Sequence, residues 1–75
     1  METVQLEMNR LENKYHRAMT KREVAEELGI SISTMDRRIK QAIDIPRYKE
    51  TRTGTYLFPL SEVALFLSSD LVRSA

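Results

Sequence analysis

Ile32, Ser33, Asp36, Arg37, Lys40 and Gln41 recur at the spacing of one face of a helix. Each carries a group suited to a base edge or a phosphate. An Arg guanidinium forks onto two guanine acceptors, a carboxylate accepts from the cytosine amine, and a Ser hydroxyl serves either base. An apolar side chain meets the thymine methyl. Lys brings a point charge to a phosphate oxygen. No comparable set exists for covalent chemistry. The chain has no Cys, and so no thiol nucleophile, thiolate metal site or disulfide. Its one histidine, His16, stands four residues after Glu12 on a charged helix face, where a solvated surface pair is the expectation. One His without Cys cannot assemble a His and Cys ligand set. No carboxylate pair marks a pocket either, so the residues predict no enzyme, cofactor or metal.

Two helices must hold that basic face in place. Thr20 and Glu23 form a capping-box pair, which predicts a helix starting at Lys21. Val24, Ala25 and Leu28 fall on its inner side. Gly29 sits where a helix ends in a left-handed residue. Ile30 follows as an apolar plug, and Ser31 is an N-cap for a second helix. Met35, Ile39 and Ala42 make that helix's inner stripe, and the small Ala25 lets the two helices cross closely. The arrangement is a helix-turn-helix, whose second helix fits the DNA major groove. A helical hairpin that only builds a core has the same outline. The spacing of Ala25, Gly29, Ile30, Met35 and Ile39, with a basic outer face on the second helix, favours DNA.

After Gln41, Pro46 stops the helix, because it lacks an amide proton and disfavours helix at Ile45. Residues 47–50 and 55–58 are two short runs rich in aromatic and β-branched residues. They flank Thr51-Arg52-Thr53-Gly54, which predicts a β-hairpin. Its tip, with Lys49, Arg52 and Thr53, reads as a wing for phosphates or the minor groove. Pro59 breaks the strand. Ser61 is expected to cap a last helix reaching about Ser69, with Val63, Phe66 and Leu67 closing the core and residues 70–75 fraying. Leu65 then needs a second cover. Residues 2–18 supply one, since they lack Gly and Pro and place Val4, Met8, Leu11, Tyr15 and Ala18 at heptad spacing. That helix covers Leu65 either within the chain or in a second copy. The spacing favours a homodimer through Val4, Met8, Leu11, Tyr15 and Leu65, although barely two heptads are too few for a coiled coil.

Seventy-five residues allow one domain, 1–75. No apolar run approaches the ~20 residues of a membrane span. An N-terminus with Glu2, Glu7 and Glu12 is not a signal peptide, so no membrane role and a cytoplasmic location are expected. Net charge is only +1, but it is unevenly spread. Residues 1–32 carry five basic and six acidic side chains, residues 33–58 six basic and three acidic, and residues 59–75 net −1. The positive charge gathers in the second helix and the segment after it.

Over residues 19–68 the chain resembles the small excisionase-like winged helix proteins, relatives of the MerR-type DNA-binding domain. The likeness rests on Thr20-Lys-Arg-Glu-Val-Ala-Glu-Glu-Leu-Gly-Ile-Ser31 and on Ser33-Thr-Met-Asp-Arg-Arg-Ile-Lys40. Ile45-Pro46-Arg47-Tyr48 leading into the wing adds to it, as does Phe58 followed five residues later by Val63. It implies a recognition helix in the major groove with a wing alongside. Such proteins serve as excisionases, phage or plasmid regulators, small terminase-type packaging subunits or chromosome-anchoring proteins. A recombinase or integrase is a partner the likeness suggests. Arg38 stands where many relatives carry an apolar residue, Asp36 is acidic on the DNA face, the wing link is long, and residues 2–18 lie outside the shared pattern.

The expectation is therefore a mostly α chain with a small β-hairpin, a winged helix-turn-helix (19–69) preceded by an N-terminal helix (2–18). It binds double-stranded DNA in a sequence-specific way and is not an enzyme. Ser33, Asp36 and Arg37 read bases, with Ile32 for a thymine methyl and Ser31 and Gln41 at the same face. Thr20, Lys21, Arg22, Arg38 and Lys40 hold phosphates, and Lys49, Arg52 and Thr53 act from the wing. The alternative is a protein-interaction module that presents Leu65 and the N-terminal stripe to a partner.

Overall fold

A computed structural model of the chain describes the backbone of residues 2–74 and the side chains of residues 4–69. Its elements are α1 (Glu2–Tyr15), β1 (Met19–Thr20), α2 (Lys21–Leu28), α3 (Ile32–Gln41), β2 (Lys49–Glu50), β3 (Tyr56–Phe58) and α4 (Leu60–Ser74). The chain is mostly helical, with one small antiparallel sheet of order β1-β3-β2.

The central helices begin and end where their sequence dictates. Thr20 Oγ1 accepts from the Glu23 amide at 3.2 Å, and the Glu23 carboxylate accepts from the Thr20 amide at 2.9 Å. These two bonds satisfy two backbone donors that a helix N-terminus otherwise leaves free. At the other end Gly29 adopts φ +68°, and the Gly29 and Ile30 amides donate to the Glu26 and Ala25 carbonyls. Ser31 Oγ accepts from the Thr34 amide at 3.1 Å and starts α3. Val24, Ala25, Met35 and Ile39 are buried, as their spacing predicts. Ala42 is not part of that stripe. It is the exposed, left-handed cap of α3 at φ +57°, because the chain must reverse before Pro46.

The helix expected over 2–18 stops at Tyr15. His16 turns left-handed at φ +64°, and Met19 and Thr20 are drawn out as β1 against Phe58 and Leu57. Two residues carry no measurable alternation, so this third strand left no periodic signal. The predicted hairpin is present, with Lys49 opposite Leu57 and Glu50 opposite Tyr56. Tyr48 packs edge-on to Tyr56 and against Phe58, with ring centroids 5.2 and 5.4 Å apart. In α4 the opening carbonyl belongs to Pro59, which accepts from the Glu62 and Val63 amides, so Ser61 lies inside the first turn instead of capping it. The expected helix end near Ser69 falls within α4, and the side chains of 70–75 lie outside the described residues.

Leu11, Met19, Val24, Ala25, Met35, Ile39, Phe58, Val63 and Ala64 form one buried cluster. Val63 closes it as expected and Leu67 packs on its edge, whereas Phe66 is half-buried on a surface groove. α1 packs along α4. Leu11 is fully buried within the chain, and Val4, Met8 and Tyr15 lean on the same cluster. Of the five residues assigned to dimerisation, only Leu65 stands clearly exposed, at 48%.

A polar clamp ties α1 to α2. The Glu27 carboxylate, 8% exposed, receives Arg10 Nη1 at 2.9 Å, Lys14 Nζ at 3.0 Å and the Tyr15 hydroxyl at 2.6 Å. Burial pushes this carboxyl up, but the bonds from Tyr15, Lys14 and Arg10 outweigh it and hold it below its ordinary value. Arg17 forks onto Glu23 with two 2.9 Å bonds, which together with the Thr20 amide lower Glu23 to about 2. Both carboxyls titrate lower in the folded chain than in the unfolded one. Their stabilisation is complete above the ordinary value of 4.5 and drains as pH falls below it, for Glu23 towards about 2. Thermal unfolding followed by circular dichroism should therefore show a flat midpoint near neutrality and a fall below about pH 4.5. Glu27→Gln should cost about 1 kcal/mol at neutral pH, since its partners regain water, and should flatten the acid decline. An acid profile identical to wild type would remove the clamp from the stability of the fold.

Candidate nucleic-acid interface

Ser33, Asp36, Arg37, Lys40 and Gln41 are all exposed along α3. At 1.5 Å per residue the stripe is about 12 Å long. The capped start at Ser31 and the buried pair Met35 and Ile39 set the roll of the helix, which turns these residues outward. Ile32 does not join them. As the first residue of α3 it is half-buried and packs against the core cluster. Arg38 is half-buried too, and its Nη1 donates to the Asp44 carbonyl at 3.2 Å, so it ties α3 to the loop that follows. Ser31 Oγ both accepts from the Thr34 amide and donates to Thr34 Oγ1, which commits it to the cap.

Asp36 meets Lys21 across the two helices, with Lys21 Nζ 2.6 Å from Asp36 Oδ1. Acid and base are 52% and 32% exposed, so phosphate or solvent has access to both. This contact also links α3 to the sheet. Lys21 follows Thr20, Thr20 pairs with Leu57, and Leu57 pairs with Lys49. Strands stand ≈ 4.8 Å apart, so Lys49 lies about 10 Å from Thr20 on the same sheet face. Lys21, next in the chain to Thr20 of β1, thus links the edge of the sheet to α3 through Asp36. Thr20 Oγ1 accepts within its capping box and keeps a hydroxyl proton to donate outward.

The hairpin tip is built by its threonines. The Thr51 amide donates to the Thr55 carbonyl at 2.8 Å, Thr51 Oγ1 accepts from the Thr55 amide at 3.1 Å, and Gly54 closes the turn at φ +82°. Thr53 Oγ1 sits between the Thr51 and Thr55 hydroxyls at 3.1 and 3.3 Å, so its assigned contact is already engaged within the turn. Arg52 is exposed at the tip.

The charges divide cleanly. Arg10, Lys14 and Arg17 are paired with Glu7, Glu27 and Glu23. Arg22, Arg37, Lys40, Lys49 and Arg52 are exposed, and among the described residues none has a carboxylate within ion-pair distance. The fold therefore neutralises its cations around α1, pairs Lys21 of α2 with Asp36, and leaves Arg22, Arg37, Lys40 and the hairpin cations open.

Leu57 was not anticipated. It is 36% exposed on the outer sheet face between Thr20 and Lys49. The alternation of Tyr56, Leu57 and Phe58 carried the signal, since Phe58 faces inward and its neighbour must face out. Arg47 was also unassigned. It is exposed beside α4, in a groove with Glu62 and Leu65. Among the described residues no helix is long and apolar enough to cross a membrane, and no group of three His, Asp or Glu side chains is placed to hold a metal ion. No protein-family model, curated protein or solved structure matches the chain, which leaves the residues and their geometry as the ground for its function.

Proposed function

We propose that this chain is a sequence-specific binder of double-stranded DNA with a winged helix-turn-helix architecture, α2 and α3 forming the helix pair and the β2–β3 hairpin the wing. The supporting observation is the division of charge: the cations near α1 are spent on internal pairs, whereas Arg37 and Lys40 on α3 and Lys49 and Arg52 on the hairpin have no ion partner among the described residues. Paired ions release no counterions on binding a polyanion, whereas open ones do. The role that fits, on the likeness of its sequence, is an excisionase-like architectural factor or a small transcription regulator of a mobile element, phage or plasmid.

On this reading α3 enters the major groove, Arg37 forks onto a guanine, and Ser33 and Gln41 reach neighbouring edges. Asp36 reads a cytosine amine while Lys21 exchanges it for a phosphate oxygen. Because the pair holds Asp36 neutralised in the free protein, the acid does not repel the duplex on approach. Arg22 and Lys40 hold phosphates to either side. Arg38 supports the helix from behind instead of reaching the backbone.

Selection of bound duplexes from a random pool tests the reading directly. A common motif of a few base pairs should emerge, bound more tightly than random sequence by at least about a thousandfold at physiological salt. Recovery of no motif, or loss of all affinity at moderate salt, would overturn it. Within the same assay the hairpin should supply affinity and little selectivity. Lys49→Ala with Arg52→Ala should weaken every duplex alike and lower the salt slope by about 2, near one per lost phosphate contact. An unchanged slope would remove the hairpin from the interface.

A further inference from the structure

We propose that the groove between the 42–48 segment and α4 is the seat of a second copy of this chain, bound about a two-fold axis. Ile45, Pro46, Arg47, Glu62, Leu65 and Phe66 line the groove, and Ala42 and Tyr48 extend it beyond Arg47. Ile43, in the same segment, is 52% exposed and Leu65 is 48% exposed. The other large exposed apolar side chains among the described residues, Leu6 and Leu57, belong to α1 and to the outer sheet face.

Charge selects the occupant. Arg47 and Glu62 line the same groove, yet among the described residues neither has an ion partner. A surface with an apolar centre and one charge of each sign is complementary to itself. A two-fold rotation sets Arg47 of each copy beside Glu62 of the other and stacks Leu65 and Phe66 at the axis. A purely acidic or purely basic partner would satisfy one of these charges and strand the other. Such a dimer differs from a pairing through the α1 stripe, whose Leu11 the chain buries in its own core. On the DNA-binding reading, a two-fold dimer carries two copies of α3, and the sites it prefers are inverted repeats.

Sedimentation equilibrium without DNA tests the dimer, so the result stands apart from any failure of DNA binding. Wild type should dimerise at concentrations up to about 100 µM, the range of a small interface. Leu65→Asp should be monomeric with an unchanged far-ultraviolet spectrum. Arg47→Glu and Glu62→Arg, each alone, place like charges across the axis and should weaken self-association by about tenfold or more. Mixed in equal amounts, these two variants should recover the dimer, because every cross-axis pair is again of opposite sign. A wild type that stays monomeric, single reversals that leave self-association intact, or a mixture that fails to recover would each overturn the proposal.

Discussion

Leu11→Ala should destabilise the chain by about 2–5 kcal/mol, the usual cost of a large-to-small change at a fully buried site that cannot collapse. Leu11 has no exposed surface and lies in the cluster with Met19, Met35 and Phe58. A domain of this length has a total stability of about 4–11 kcal/mol, at 0.05–0.15 kcal/mol per residue, so the loss takes a large share. The same change decides where α1 belongs. If its stripe serves the chain's own core, urea unfolding of wild type and variant should differ by the same amount at low and high protein concentration. If the stripe paired two copies, the loss would grow with concentration, since the wild type would then gain from mass action. A variant as stable as wild type would place Leu11 outside the core. Leu11→Asp is expected to leave the chain unfolded, because an unpaired carboxylate there has no partner within the cluster.

The middle of the chain was legible because each local signal has one cause and one place. A hydroxyl before an acid three residues on, as in Thr20 and Glu23, predicts a box that the hydrogen bonds realise. Gly29 predicts a left-handed stop, and Pro46 forbids further helix. The departures come from tertiary competition, which no local pattern carries. α1 ends early because Met19 and Thr20 pair with a strand almost forty residues away. Ile32 turns inward and packs against the core cluster instead of joining the outer face of α3. Ser61 has the chemistry of a cap, but Pro59 already occupies the position from which its carbonyl accepts. In the candidate site, the exposed face of α3 followed from periodicity alone. The Lys21–Asp36 contact did not, because it joins residues fifteen positions apart on different helices. The same holds for the division between paired and open cations: charge counts read from sequence weigh Arg17 and Arg37 equally, and only the fold, which brings Arg17 onto Glu23 and leaves Arg37 without a carboxylate among the described residues, separates them.

On the proposed DNA-binding function, Arg37→Ala should cost about 1–3 kcal/mol at the preferred duplex, or roughly 5- to 150-fold in affinity, and relax preference at one base pair. Arg37 stands exposed on α3 about one turn past Ser33, next to an acid held by Lys21, with no ion partner among the described residues. Its guanidinium is therefore free to fork, where that of Arg38 is turned back to the Asp44 carbonyl. The contrast between the two arginines makes the test internal. Arg38→Ala should lower thermal stability by loosening the loop after α3 and leave the preferred base pairs unchanged. Arg37→Lys sharpens the test further. A lysine keeps the charge, so binding to random duplexes and the salt slope should hold, but it loses the planar fork, so selectivity should fall almost as far as with Ala. Competition binding of the three variants against the selected duplex and its single-base substitutions separates these effects. Equal selectivity in Arg37→Ala and wild type, or a larger loss of selectivity in Arg38→Ala, would overturn the proposed DNA-reading face of α3.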